Sequence, residues 1–193
     1  MEDEKKKYRA AICLCIDIRK STEFHTNFND MNDASGVIKE FMEEIYRKTK
    51  SNHPNIAEKF LYAGDGMMFI SYINNDWDSL PHKFIDLADI LEEVIKKYED
   101  EYREYNLKIG IGIDSGDLLE WNLKDVPTGN GKTPLYVGYP VSRSTKLCKI
   151  TPINWKGKLR HISLSKDFYE RLNTENKKRY KLTVSQKRAM KYG

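Results

Sequence analysis

Two acidic residues stand where a carboxylate can meet a ligand. Asp17 closes the run from Arg9 to Thr22, RAAICLCIDIRKST. At period two, Ile12, Leu14, Ile16 and Ile18 share one face, and Ala11, Cys13, Cys15 and Asp17 share the other. The first row is large and apolar, as a core-facing row is. The second is small and ends in an acid, which predicts room above the strand for a ligand or a partner sheet. A carboxylate at a strand end, beside a polar turn that opens a helix, can hold a divalent cation against a phosphate. Asp65 lies between Gly64 and Gly66, where a tight turn joins two strand-like runs. Glycines there let a ligand approach the backbone. Taken singly, Asp17 also reads as a strand-end cap and Asp65 as an ordinary turn acid.

The elements that must position these acids follow from hydrophobic spacing. After Thr22 comes a polar stretch with turn formers from Asn29 to Asp33. From Ala34, residues Val37, Ile38, Phe41, Met42, Ile45 and Tyr46 form a helical stripe, which Pro54 and its neighbours end. Residues 57–63 and 67–73 read as a hairpin. Leu80, Phe84, Leu87, Leu91, Val94 and Tyr98 mark a long second helix. The run 107–116, LKIGIGIDSG, repeats the first strand's design, with Ile109, Ile111 and Ile113 opposite Lys108, Gly110, Gly112 and Asp114. A polar loop is expected from Glu120 to Pro134. Its GNGKT lacks the spacing of a phosphate-binding P-loop, because position 126 is Val. A turn at Gly138 leads to a short helix, residues 160–164 read as a strand, and Ser165 as the N-cap of a helix. The order is β-α-β-β-α-β followed by a smaller α-β-α part. That is an α+β fold with a ferredoxin-like core and a C-terminal α/β extension.

The chain has 193 residues, with 39% hydrophobic and 32% charged residues. It can bury one sizeable core, and no apolar run reaches membrane-spanning length. The N-terminus MEDEKKKYRA has no signal-peptide apolar region, and three cysteines do not make a disulfide framework. A cytoplasmic protein without a membrane partner is expected. The net charge of +4 suits an anionic small molecule as well as nucleic acid. Lys177, Lys178, Arg179, Lys181, Lys187, Arg188 and Lys191 crowd the C-terminus, which predicts a solvated tail. No basic run is interleaved with aromatics, which argues against a nucleic-acid partner.

Three separated motifs, in order, resemble the class III nucleotidyl cyclases, the family of adenylate and guanylate cyclase catalytic domains. CIDIRKST is similar to the family's F-D-I-x-x-[FS]-T turn, and LYAGDGMMF to its K-x-x-G-D hairpin. IGIGIDSG followed by YVGYPVSRSTKL is similar to the strand, glycine and helix that read G-x-x-V-N-x-A-x-R. ISLSKDFYERL resembles the family's late strand and helix, so the likeness runs from about Arg9 to Leu172. It implies a catalytic domain over 1–172 and a basic segment over 173–193. It also implies that Asp17 and Asp65, with the carbonyl of Ile18, hold two Mn²⁺ or Mg²⁺ ions. Arg19, Lys20, Ser21 and Thr22 match the turn that cradles the triphosphate. The diguanylate cyclase signature GG[DE]EF is absent, since the hairpin reads AGDGM.

The departures are equally informative. Purine cyclases usually carry a Lys four residues before the second metal Asp, where this chain has Leu61, and a base-reading acid at the position of Leu135. Without those groups a site cannot read a purine edge by hydrogen bonds. The usual Asn and Arg of the helix are Ser142 and Lys146, with Arg143 a rival cation. Gly110 replaces a phosphate-binding Arg, and Lys108 on the same face is the candidate substitute. This pattern resembles the pyrimidine cyclases of the bacterial Pycsar antiphage systems. The resemblance implies a homodimer whose active sites span the interface, with a nucleoside triphosphate, UTP favoured over CTP, as substrate. Tyr62 is the candidate for packing on the pyrimidine. A catalytically silent nucleotide-binding module is the alternative from another class, favoured by the missing Asn and Arg.

Overall fold

A computed structural model of the chain describes residues 8–28, 30–123, 133–151, 153–155 and 158–180. In chain order its elements are β1 (Tyr8–Ile18), α1 (Ser21–Asn27), α2 (Met31–Asn52), α3 (Pro54–Ala57), β2 (Phe60–Ala63) and β3 (Gly66–Tyr72). Then come α4 (Leu80–Glu101), a 3₁₀ turn (Arg103–Tyr105), β4 (Ile109–Leu123), β5 (Thr133–Gly138) and α5 (Tyr139–Cys148). The last elements are β6 (Ile153–Trp155), β7 (Lys158–Arg160), β8 (Ile162–Leu164), α6 (Lys166–Glu170) and α7 (Thr174–Arg179). The main sheet has the antiparallel order β2-β3-β1-β4-β5, with β8 parallel to β4, while β6 and β7 pair separately. The expected α+β class and hairpin are present. No described helix is long and apolar enough to cross a membrane.

The two faces of β1 have opposite fates. Ile12, Leu14, Ile16 and Ile18 are buried against Phe41, Ile45, Phe84, Leu91 and Ile95, so α2 and α4 lie on that face. Full burial of each such side chain contributes about 1.5–3 kcal/mol. Ala11, Cys13 and Cys15 are also buried, with Met68, Ile70, Leu118 and Cys148. The small-residue face is therefore not open, as the sequence suggested. Helix α5 lies on it. A Cβ built on Gly112 would sit 2.6 Å from the Cys148 nitrogen and 2.8 Å from Leu147 Cβ, and closer still to the Ser144 carbonyl. A Cβ on Gly110 would collide with Cys148 and Thr151. These glycines admit a helix backbone, not a ligand.

Other expectations are also corrected. The polar stretch after Thr22 holds α1, and the presumed turn at 29–33 is mostly the start of α2. Asp30 caps α2 by accepting from Asn32 N at 2.7 Å, which starts the helix at Met31, three residues before Ala34. The loop expected from Glu120 to Pro134 is partly sheet. β4 continues to Leu123 because Trp121 pairs with Leu135 and Leu119 with Val137 across β5. Most of the PTGNGKTP run, residues 127–132, lies outside the described residues. Within the tail expected from 173 onward, residues Thr174–Arg179 form α7. Arg179 and Tyr180 both bond Asp89 of α4, and Asn176 bonds His82 there at 2.8 Å. Lys181, Lys187, Arg188 and Lys191 lie outside the described residues.

One buried ionic cluster ties α4 to the sheet. His161, 1% exposed, places Nε2 2.9 Å from Glu99 Oε2 and Nδ1 3.4 Å from Glu92 Oε1. Glu99 also accepts from Ile109 N at 2.7 Å, and Glu92 from His161 N at 2.9 Å. Burial opposes charging of His161, but the bonds to Glu92 and Glu99 prevail and raise its pKa above 6.5. Burial pushes Glu92 up; hydrogen bonds from His161, with Arg160 and Lys96 nearby, outweigh it and bring it down to about 2. The stabilisation from protonated His161 is complete below its unfolded value and declines as pH rises through the raised folded value. Urea midpoints measured from pH 5 to 9 should therefore fall on the alkaline side. His161→Gln should flatten that limb and lower the plateau by about 3–5 kcal/mol, the cost of stripping a partner from buried charge. An alkaline limb unchanged in the variant would place the titration elsewhere.

Candidate functional site

β1 delivers Asp17 to the end of the central strand, between two residues without side chains. It lies opposite Gly66 of β3 on one side and Gly110 of β4 on the other. No neighbouring side chain on either strand crowds its carboxylate. The β2–β3 turn supplies the second acid. Gly64 takes the left-handed conformation there (φ 66°), which a side chain would resist. Asp65 follows, and its carbonyl accepts from Ile18 N at 3.4 Å, tying the turn to the end of β1.

The charge of Asp65 bears on Asp17. Burial raises the Asp17 pKa, and the charge of Asp65 raises it further; Lys149 and Arg19 offset part of this. Two half-buried carboxylates of like sign, offering only oxygen, form the donor set that a hard divalent cation requires. No group of three or more His, Cys, Asp or Glu able to hold a metal occurs among the described residues. Further ligands would have to come from backbone, as at Ile18, or from substrate and water.

The turn after Asp17 is held firmly. Arg19 N donates to Lys108 O at 2.6 Å. The Arg19 guanidinium donates to Cys148 O at 2.8 Å and Thr151 O at 3.4 Å, so this side chain caps the end of α5. Lys20 adopts a left-handed φ of 54° before α1, and its ammonium pairs with Glu23 at 2.8 Å. Ser21 and Thr22 open α1. Lys108 is half-buried beside this turn.

The remaining candidates divide. Ser142, Arg143 and Lys146 are exposed on α5, with Arg143 bonded to Asp167 at 2.7 Å. The cation just past α5 whose charge acts on Asp17 in the same chain is Lys149, which the sequence reading missed. Its position three residues after Lys146, on the same helical stripe, was the available signal. Leu61 pairs with Met68, which pairs with Cys15, so it shares the Asp17 face. Tyr62 belongs to the next row, with Met67 and Ile16, and stands edge-on to Phe60 at 5.4 Å. It therefore faces away from Asp17, which corrects the expectation that it meets the base. Leu135 is 42% exposed on β5 opposite Trp121, on the sheet face that Leu61 does not share.

The chain matches no family model, and no curated protein is detectably similar to it. Solved structures are similar in fold. The adenylyl cyclase CyaB from P. aeruginosa superposes with a TM-score of 0.66 at 13% identity, over 86% of this chain and 82% of that one. The guanylate cyclase domain of RhGC from Catenaria anguillulae, in complex with GTP, gives 0.65 at 16% identity, over 86% and 84%. A class III adenylyl cyclase-like ATP-binding protein from Pseudomonas aeruginosa gives 0.65 at 15% identity, over 90% of this chain and 38% of that one. The protein thus has the class III cyclase catalytic-domain fold.

The convergence of the two acids is testable without any activity. Asp65→Asn removes the neighbouring charge, so Asp17 should titrate at lower pH when followed by carboxyl ¹³C NMR. An Asp17 titration that does not move would separate the two side chains and dissolve the site.

Proposed function

We propose that the protein is a nucleotidyl cyclase that converts a pyrimidine nucleoside triphosphate, UTP in the first place, to cyclic UMP and pyrophosphate. The observation that supports it most is the meeting of Asp17 and Asp65 at one end of a class III cyclase fold. The 3′-oxygen attacks the α-phosphorus, the bond to the pyrophosphate oxygen breaks, and the hydroxyl proton leaves to solvent or base. Two divalent cations, Mn²⁺ or Mg²⁺, supply Lewis-acid stabilisation and a lower 3′-hydroxyl pKa when bound. Asp17, Asp65 and the Ile18 carbonyl hold them. The backbone of Lys20 to Thr22 and the Thr22 hydroxyl orient the triphosphate, while Arg19, whose amide donates to Lys108 O and whose guanidinium donates to the end of α5, holds that turn in place. Lys108 is the further cation for the phosphates.

In this reading the active site is shared by two copies of the chain. Lys146 or Arg143, with Ser142, would act on the nucleotide held by the other copy's acids. Their exposure on α5 suits that role. Trp121, Leu135 and Val137 are 48%, 42% and 48% exposed along the β4–β5 row, an apolar strip of the kind that a second copy can cover. Leu61 in place of the purine-reading Lys, on the face of Asp17, favours a pyrimidine; Leu135 lies on the other face of the sheet and does not bear on the base within one chain. The Pycsar resemblance adds a role as a second-messenger synthase in antiphage defence; cyclic CMP from CTP is the alternative product. A silent nucleotide-binding module is the second reading, favoured by Lys146, which lacks the guanidinium fork.

Incubating the protein and Mn²⁺ with each of the four nucleoside triphosphates should give a cyclic product and pyrophosphate from UTP or CTP. Product from ATP or GTP alone would reject the pyrimidine assignment, and binding without pyrophosphate would select the silent module. Asp65→Ala should remove turnover without dissociating the dimer. Mixing inactive Asp65→Ala with inactive Lys146→Ala should restore about a quarter of wild-type activity, since half the dimers are mixed and each carries one intact site. No restoration would place both residues in one chain's site.

A further inference from the structure

We propose that Lys59, Glu120 and Tyr136 read the edge of a uracil ring, and that this trio makes the chain select UTP over CTP. The inference rests on the cyclase reading above and deepens it. None of the three stands at a position that the family resemblance assigns to base reading.

All three lie on the sheet face that carries Asp17 and Leu61. Lys59 precedes Leu61 by two residues, and its carbonyl accepts from Ile70 N at 2.9 Å. Glu120 shares the row of Gly116 and Leu118, which pair with Ala11 and Arg9 of β1. Tyr136 pairs with Glu120, so it is the β5 residue that turns to this face while Leu135 turns away. Leu61, Tyr72 and Tyr136 pack on one buried cluster that includes Cys13, Met68 and Leu118. Lys59 is level with Ile70, Cys13 and Asp114 across the sheet. Glu120 is six residues beyond Asp114 on β4, roughly 20 Å along a straight strand. The two side chains nevertheless meet at 3.1 Å, so β4 curls over this face and makes it concave.

Tyr72 also bonds Glu120 through its hydroxyl, and Arg9 lies over the Tyr72 ring at 3.7 Å. Burial raises the Glu120 pKa, but the bonds from Tyr72 and Lys59 and the charges of Lys59 and Arg9 outweigh it and lower it. Glu120 is therefore an acceptor at neutral pH. Burial and the charge of Glu120 raise Tyr136, which stays a phenol and a donor. With its charges set against one another, the cluster suits a neutral polar edge and not an anion. Among the described residues, the hydrogen bonds to the Glu120 carboxylate end on Oε2 and none involves the Tyr136 hydroxyl. Oε1 and the phenol are left for a ligand, and the Lys59 and Glu120 side chains are 39% and 25% exposed, so a ligand can reach them. Uracil presents an acceptor, a donor and an acceptor at O4, N3–H and O2. Lys59, Glu120 and Tyr136 offer a donor, an acceptor and a donor. Cytosine has a lone pair at N3 where uracil has a hydrogen, and a carboxylate repels it. Leu61 beside the trio is the apolar surface for the ring. In the shared site, the phosphates of that nucleotide rest on the other copy's Asp17 and Asp65.

The test separates binding from turnover. Isothermal titration uses the full chain, Mn²⁺ and the 3′-deoxy forms of UTP and CTP, which lack the attacking hydroxyl. The wild type should bind 3′-deoxy-UTP about tenfold more tightly than 3′-deoxy-CTP. Glu120→Gln, whose amide can turn either a donor or an acceptor to the base, should bring that ratio close to one. Tyr136→Phe should weaken 3′-deoxy-UTP about fivefold, the loss of one hydrogen bond. A purely structural role for Glu120 would weaken both nucleotides alike and leave their ratio unchanged, and that result would overturn the proposal. A wild-type preference for the cytosine form would overturn it too. Should Glu120→Gln not fold, Tyr136→Phe decides, since an unchanged affinity for 3′-deoxy-UTP removes the phenol from the site. Tight binding without a uracil preference would overturn this inference and leave the cyclase reading standing; no binding of either nucleotide would overturn both.

Discussion

The structure depends on a helix laid directly on strand backbone. Gly110 and Gly112 remove the side chains that would hold α5 away from β4, and the helix settles on them. Everything at the carboxylate end follows from that approach. Cys148 comes close enough for its thiol to donate to Cys15 O at 2.9 Å. The last carbonyls of α5 come within reach of Arg19, whose guanidinium fixes the turn that follows Asp17. Lys149 is left at the helix end, where its charge bears on Asp17. An added methyl on either glycine would meet backbone atoms, which cannot swing aside as a flexible side chain can. The cost would be felt at both ends of the contact, in the sheet and in the turn.

The opposite face is built on a different principle. There large aliphatic and aromatic side chains fill the space between sheet and helices, and the polar exception is the His161 cluster. Its three members come from α4 and the segment before β8, and the Glu99 carboxylate also serves the first amide of β4. One face is therefore held mainly by apolar volume, with the His161 cluster as a buried ionic tie. The other is held by close backbone packing. Asp17 and Asp65 sit at the end of the second face, where a rigid strand and a short hairpin turn, not a long loop, carry them.

Strand and helix identity were legible in the sequence wherever one face was large and the other small or charged. The rows of β1 and β4 and the stripes of α2 and α4 appear as their spacing indicates. Asp17 and Asp65 stand out together, by the motifs that resemble the cyclases; taken singly, each has an ordinary reading as a strand-end cap or a turn acid. What the small-residue row meant could not be read. Glycine in a strand makes room equally for a ligand, a sheet or a helix, and only the three-dimensional path of α5 decides among them. The hairpin of β4 and β5 was hidden because a polar run between Trp121 and Leu135 carries no alternation. Tyr62 was misjudged because a strand next to a turn gives each residue the opposite face from its neighbour, and Leu61 took the one that matters.

Asp17 supplies the last step. Its pKa is raised by burial and by Asp65, so the folded chain binds a proton there more readily than the unfolded chain does. By linkage, Asp17 adds stability when protonated and gives it up as pH rises through its raised value. At neutral pH the pair is thus a cost to the ligand-free fold. Arg19 relieves it only in part, since its guanidinium is bonded to the carbonyls at the end of α5. Lys149 offsets the repulsion only in part, from an exposed position. Like charges kept close on rigid elements, with glycines on both flanks, are the arrangement of a site whose stabilising counter-charge arrives with its ligand.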